Sequence, residues 1–267
     1  MTTKHKAVAE SGGRTEQDRK SIRRQLKWMG ALLGLGVVAM LVLHWGQSTG
    51  WGNPDRAVKD RFTKGEADFV AGRFDLAAEQ YQEVVDRYPQ HAQVDQALTQ
   101  LSSAYQGMGK LDLALAALQK LVIRLEAAND RSDLHAYTLL QIGKMQKDNG
   151  DYVDALVALN RVRNEHPKTD WSGEALNTIG QVYEAQKKFP EARGCFTQLI
   201  KELPGGFLAA EAQSGIGECY EGEGQPRKAL KAYQVVLDKY PSAVWETAKA
   251  HIDALKKDLA NKTSAKS

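Results

Sequence analysis

The chain has 267 residues, 26% of them charged, and a net charge of +3. Eight basic and three acidic residues precede Trp28, a net of +5, so the remainder is −2 and offers no basic footprint for nucleic acid. No alternating apolar pattern flanks the Asn149-Gly150 pair or appears elsewhere, which excludes a β-rich fold.

Residues 1–27 read as a polar, basic, disordered tail. From Trp28 to Pro54 there is no Asp, Glu, Lys or Arg, and Met29 to Leu43 is apolar throughout. As a helix, 28–45 would span about 27 Å, close to the ~30 Å of a bilayer core. Trp28, Trp45 and Trp51 stand where interfacial aromatics belong. This predicts one transmembrane helix over 28–45 with the basic tail in the cytoplasm and everything after Trp45 across the membrane. Gln47-Ser48-Thr49-Gly50 is a poor signal-peptide cleavage site. Ser21-Ile22-Arg23-Arg24-Gln25-Leu26-Lys27 fits the flank of an anchor better than a twin-arginine signal. Gly30-x-x-x-Gly34 is a candidate for homodimerisation in the membrane. Residues 46–55 form a polar, flexible linker.

Beyond the linker one constellation recurs five times. Its clearest copy is Leu176, Ile179, Gly180 and Tyr183, then Ala192, Phe196 and Pro204. The next keeps the offsets with Ile216, Gly217, Tyr220, Ala229, Tyr233 and Pro241. Three weaker copies run from Gly65 to Pro89, from Leu98 to Leu118 without a closing proline, and from Leu139 to Pro167. The large residues Tyr81, Leu118, Leu159, Phe196 and Tyr233 are separated by 37, 41, 37 and 37 positions. Apolar positions at i, i+3, i+4 and i+7 predict a helix A, and a glycine in that face lets helix B approach closely. Proline ends each helix B, and Gly109, Gly150 and Gly224 end helix A in the left-handed region. Asn129 to Ser132 reads as a longer loop with an N-cap, which accounts for the spacing of 41. After Pro241, Val244, Ala248, Ile252, Leu255 and Leu259 form an apolar stripe, with Glu246, Lys249, Asp253, Lys256 and Lys257 supplying a polar outer face.

This pattern resembles the tetratricopeptide repeat, whose usual period is 34. The resemblance implies an all-α, right-handed α-solenoid of about five helix pairs over 56–241, a capping helix over 242–260 and a frayed end over 261–267. The layout of short tail, single anchor and translocated array is similar to the ancillary Sec translocon subunit family. That implies a bacterial inner-membrane protein with a periplasmic repeat domain, acting at the secretion channel or with periplasmic chaperones. The repeats also resemble those of the periplasmic cell-division coordinator and of outer-membrane assembly lipoproteins, although no lipobox cysteine follows the apolar run.

No signature of chemistry appears. Histidines 5, 44, 91, 135, 166 and 251 are scattered, without metal-ligand spacing. Neither a Gly-x-x-x-x-Gly-Lys phosphate loop nor a Gly-x-Ser-x-Gly turn is present. We therefore expect no enzyme, cofactor or metal. Cys195 and Cys219 fall on helices that neighbour one another in this fold, so they are either two buried thiols or, in an oxidising compartment, a bridge.

In the tetratricopeptide family one face of each helix A lines the groove that holds a protein or peptide ligand. Carried over, the first unit offers Lys59, Phe62, Glu66, Phe69 and Val70, and the second Gln96, Thr99, Ser103 and Gln106. The third offers Tyr137, Leu140, Lys144 and Lys147, and the fourth Glu174, Asn177, Gln181 and Glu184. The fifth offers Glu211, Ser214, Glu218 and Glu221. Lys59, Lys144 and Lys147 do not form the family's carboxylate clamp. The five glutamates of the last two units instead suit segments that are basic at one end. The alternative is a structural scaffold that self-associates or organises a dedicated envelope complex.

Overall fold

The computed structural model describes Met40, residues 53–240 and residues 244–264, and within them eleven helices and no strand. The chain divides into two units between residues 63 and 64, and the first described helix is α1 (Pro54–Val70). Then follow α2 (Phe74–Arg87), α3 (Val94–Gly107), α4 (Leu111–Ala127), α5 (Asp133–Asn149) and α6 (Tyr152–Glu165). Next come α7 (Asp170–Ala185), α8 (Phe189–Glu202), α9 (Gly206–Gly222), α10 (Pro226–Lys239) and α11 (Val244–Ser264). Odd-numbered helices up to α9 are the A helices and even-numbered ones the B helices. The expected anchor over 28–45, apart from Met40, and Gly30, Gly34 and Pro241 lie outside the described residues. None of the described helices is long and apolar enough to cross a membrane.

Each helix pair is held by a small residue facing a large one sixteen positions later. A Cβ placed on Gly65 would stand 2.8 Å from the Tyr81 ring, one on Gly143 2.6 Å from Leu159 and one on Gly217 2.6 Å from Tyr233. Only glycine allows those side chains so near the backbone of helix A. The second pair uses Ser102 and Leu118, both buried. Phe196 is gripped twice: a Cβ on Gly180 of its own pair would stand 2.5 Å away, and one on Gly215 of the next pair 2.7 Å away. The large residue of helix B therefore fills its own pair and also seats the following one. One cluster runs from Ala114 through Leu139 and Leu159 to Val182, and Phe196 centres the next with Leu176, Ala192 and Ala212. A single pair cannot bury its apolar face alone.

Helix ends follow the same economy of parts. Gly72, Gly109, Gly150 and Gly224 take φ between 68° and 87° beyond their A helices. In the fourth pair Lys187 adopts φ 58° at that place, against the steric preference of an L-residue. Pro89, Pro167 and Pro204 follow the C-caps of α2, α6 and α8. Helix α4 has no closing proline and runs 17 residues where every other B helix has 14. Three of the four extra positions in the spacing of 41 thus come from the longer helix α4 rather than from the loop that its polar cluster predicts. Ser132 is the N-cap of α5, but its side chain makes no capping bond; its N–H donates to the Asp130 carboxylate at 2.8 Å.

At the C-terminal end α11 lays Ala248, Ile252 and Leu255 on Ala229, Tyr233 and Val236. Both cysteines are free. Burial pushes the Cys219 thiol up to about 12, with the Glu184 charge adding to it, so it is an inert core residue rather than a nucleophile.

Candidate functional site

The A helices α5, α7 and α9 contact one another in turn, and α11 contacts α9. Their outward faces form two adjoining recesses that share Asn177, Gln181, Phe207 and Glu211. The larger, about 820 Å³, lies over α5, α7 and the start of α9, with Lys144, Lys147, Trp171 and Glu174 in its lining. The smaller, about 340 Å³, lies between α7, α9 and α11 and adds Glu184, Ser214, Glu218, Val244 and Thr247. Both volumes fall within the ~300–1,000 Å³ common for ligand pockets.

The two halves differ in charge. In the larger recess the cations are already engaged: Lys144 donates to Glu174, and Lys147 donates to Gln181 Oε1 at 3.1 Å and lies 3.2 Å from Asp148. In the smaller recess Glu184, Glu211 and Glu218 face no lysine or arginine among the residues that line it. Burial, reinforced by the charge of Glu218, pushes the Glu184 carboxyl up to about 7. Burial and the charge of Glu174 raise Glu211, opposed by Lys144 and by the bond from Asn177. These are the shifts that like charges gathered in a desolvated site produce. Asn177, only 4% exposed, donates its Nδ2 to Glu211 at 3.2 Å, while its Oδ1 is buried without a hydrogen-bond partner. Phe207, 54% exposed, is the large apolar side chain common to both recesses.

Of the residues expected in a groove, the structure brings together Lys144, Lys147, Glu174, Asn177, Gln181, Glu184, Glu211, Ser214 and Glu218. Tyr137 stands just outside, its ring edge-on to Trp171 at 5.6 Å. Leu140 is fully buried and belongs to the core. Glu221 leaves the groove because α11 covers that end of α9: its carboxylate accepts from the Tyr233 hydroxyl at 2.6 Å and meets His251 Nδ1 at 2.8 Å. Phe62 is 5% exposed and is a core residue, not a groove contact. Lys59 and Glu66 are exposed, Val70 is 87% exposed, and Phe69 packs edge-on against Phe74 at 5.2 Å. Gln96, Thr99, Ser103 and Gln106 lie on α3 and line neither recess. Sequence reasoning missed Phe207 and Trp171. Each sits in the first turn of an A helix, one position before or after the repeating apolar stripe, where periodicity gives no signal.

A second cluster was also hidden by distance in sequence. Glu126, His135 and Glu165 place ligand-type atoms within 4.8 Å of one another. Their neighbours are arginines, which makes this an ionic staple. Arg161 donates to both Glu126 and Glu165 and holds both carboxyls below the usual range. His135 is fully buried, with Nε2 3.2 Å from Arg131 Nη1 and Nδ1 2.9 Å from His166 Nε2. Nε2 also lies 3.6 Å from the Glu126 carboxylate and 3.9 Å from that of Glu165. Burial and the neighbouring His135 push the His166 imidazole down, which keeps it neutral. The staple ties the extra turn of α4 to α5 and α6.

Family models described as tetratricopeptide repeat match residues 62–98 and 177–244, residues 137–169 and residues 95–122. The outer membrane protein assembly factor BamD of Caulobacter vibrioides is 26% identical over 136 residues, 48% of this chain. That match spans 45% of the relative's own length. Among solved structures, a tetratricopeptide repeat protein from Parabacteroides merdae superposes with a TM-score of 0.61 at 16% identity, over 79% of this chain and 76% of its own. The MamA protein superposes with a TM-score of 0.54 at 22% identity, over 69% of this chain and 92% of its own. At these identities the two structures speak for the fold alone.

Proposed function

Because the chain is a tetratricopeptide repeat protein, we propose that it is a membrane-anchored adaptor whose groove over α5, α7 and α9 binds segments of other proteins. The observation that carries this reading is the groove itself: two adjoining recesses of about 820 and 340 Å³ that share Asn177, Gln181 and Glu211, with the exposed Phe207 between them. A solvated helix face has no need of a buried amide oxygen without a partner, and Asn177 supplies one. The apolar run over 28–45 and its basic flank support anchoring in a bacterial inner membrane, with the tail in the cytoplasm and the repeats in the periplasm. The adaptor does no chemistry and works on exported proteins, at the secretion translocon or beside periplasmic chaperones. The match to BamD, a protein named for outer membrane protein assembly, favours a second reading, service to one dedicated envelope complex.

The test is charge reversal in the groove. Full-length chain carrying Glu184→Lys and Glu218→Lys is expected to lose at least about tenfold of the partner it captures from membranes, with its helical circular dichroism unchanged. Undiminished capture by a folded variant would remove the groove from the account.

A further inference from the structure

The smaller recess is chemically unfinished, and its missing part has a definite character. Three carboxylates line it without a basic side chain among the lining residues. Glu184 comes from α7, and Glu211 and Glu218 come from α9. The bond from Asn177 Nδ2 to Glu211 orients the amide so that its buried Oδ1 lacks a donor. A cation would satisfy the carboxylates, and an N–H on the same ligand would satisfy the amide oxygen. Phe207 and Val244 give the adjoining wall an apolar surface, so the chemistry asked for is a charged group on an aliphatic stem attached to a peptide.

Resting on the groove reading above, we propose that the recess between α7, α9 and α11 takes one lysine or arginine side chain of the bound segment. A segment N–H donates to Asn177 Oδ1, and the cation enters in exchange for a proton held among the recess carboxylates.

The exchange follows from electrostatics. With three carboxylates close together in a partly desolvated site, one retains its proton near neutrality, and Glu184 is that group, pushed up to about 7. An entering cation favours the ionised form, so the proton leaves on binding. No fixed group from the surrounding elements already does this. From α8, Arg193 is committed to Glu223 at 2.6 Å. From α9, Cys219 is buried and un-ionised near neutrality. From α10, the Tyr233 hydroxyl donates to Glu221. From α11, His251 pairs with Glu221. On α7 itself, Glu174 is paired with Lys144 at the far end of the groove. By linkage, affinity is at its full value above about pH 7, where Glu184 is ionised before binding, and falls as pH drops below it.

Random peptides displayed on phage are selected against the full-length chain in detergent at pH 8, and the winners are measured as free peptides. The expected winners carry a Lys or Arg beside an apolar residue, bind about tenfold more weakly at pH 6 than at pH 8, and release about one proton on binding at pH 6. Replacing their lysine by norleucine abolishes binding, and Glu184→Gln abolishes the pH step. Winners that are lost on Gln181→Arg with Phe207→Asp, yet carry no basic residue or bind equally at both pH values, overturn this inference and leave the groove reading standing. Winners that still bind that double variant, or the absence of any winner, overturn both.

Discussion

Replacing Gly180 by alanine should destabilise the array although alanine is the better helix former. The added Cβ would stand 2.5 Å from Phe196 Cε1, where carbon atoms prefer about 3.5–4.0 Å. The ring must retreat by about 1 Å, but a Cβ site on Gly215 lies only 2.7 Å from its other edge, and Phe196 is 1% exposed. With both sides closed, the overpacking cost belongs in the upper part of its range of about 1–3 kcal/mol. Alanine's helix propensity offsets about 1 kcal/mol. The net loss is about 1–2 kcal/mol, a fall in Tm of about 3–6 °C for a domain of this size. Thermal unfolding followed by circular dichroism reads it directly. Phe196→Leu in the same chain frees space, so the double variant should be less destabilised than the two single changes together. Gly180→Ala as stable as the parent, or strict additivity in the double variant, would refute the clamp.

Glu184 is ordinarily a carboxyl near 4.5 and is raised here to about 7, so between those values the folded state binds the extra proton. Stability therefore declines as pH rises through that window. Glu184→Gln should leave the urea midpoint unchanged at pH 4 and add about 1 kcal/mol at pH 8, after allowance for its partial exposure; equal midpoints at both pH values would contradict this. Lys187→Gly relieves a left-handed lysine at φ 58° and should stabilise by about 1 kcal/mol, whereas Gly150→Ala at φ 87° should destabilise; the same sign for both in chemical denaturation would be wrong. The full chain should resist alkaline extraction from membranes, while a chain lacking 28–45 should be released; release of both would end the anchor reading.

The repeat was legible because its physics is local and periodic. A small residue on helix A and a large one sixteen positions later recur with little drift, so Gly180 with Phe196 and Gly217 with Tyr233 announce the packing of every pair. The irregular step was legible as a number and misread as a loop, because the polar run from Asn129 to Ser132 does form a turn. The missing proline after α4 was the better clue, since nothing stops that helix at fourteen residues. Most groove residues of the third to fifth pairs were placed by the A-helix face that the tetratricopeptide resemblance implies, though Leu140 is core and Tyr137 lines neither recess. Glu221 was not placed, since its fate depends on α11, which no repeat rule describes. The staple of Glu126, Arg131, His135, Arg161 and Glu165 was out of reach for a similar reason: its members join three helices and have no shared period.

The measurement nearest the centre of the account is site-specific photocrosslinking of the full-length chain in its own membrane. One photoreactive residue replaces Gln181, which lines both recesses; the comparison replaces Val157 on α6, which is 59% exposed and lines neither. The account predicts that Gln181 captures protein partners which Val157 does not, and that Glu218→Lys removes them. The same captured proteins at both positions, or capture at Val157 alone, would contradict it.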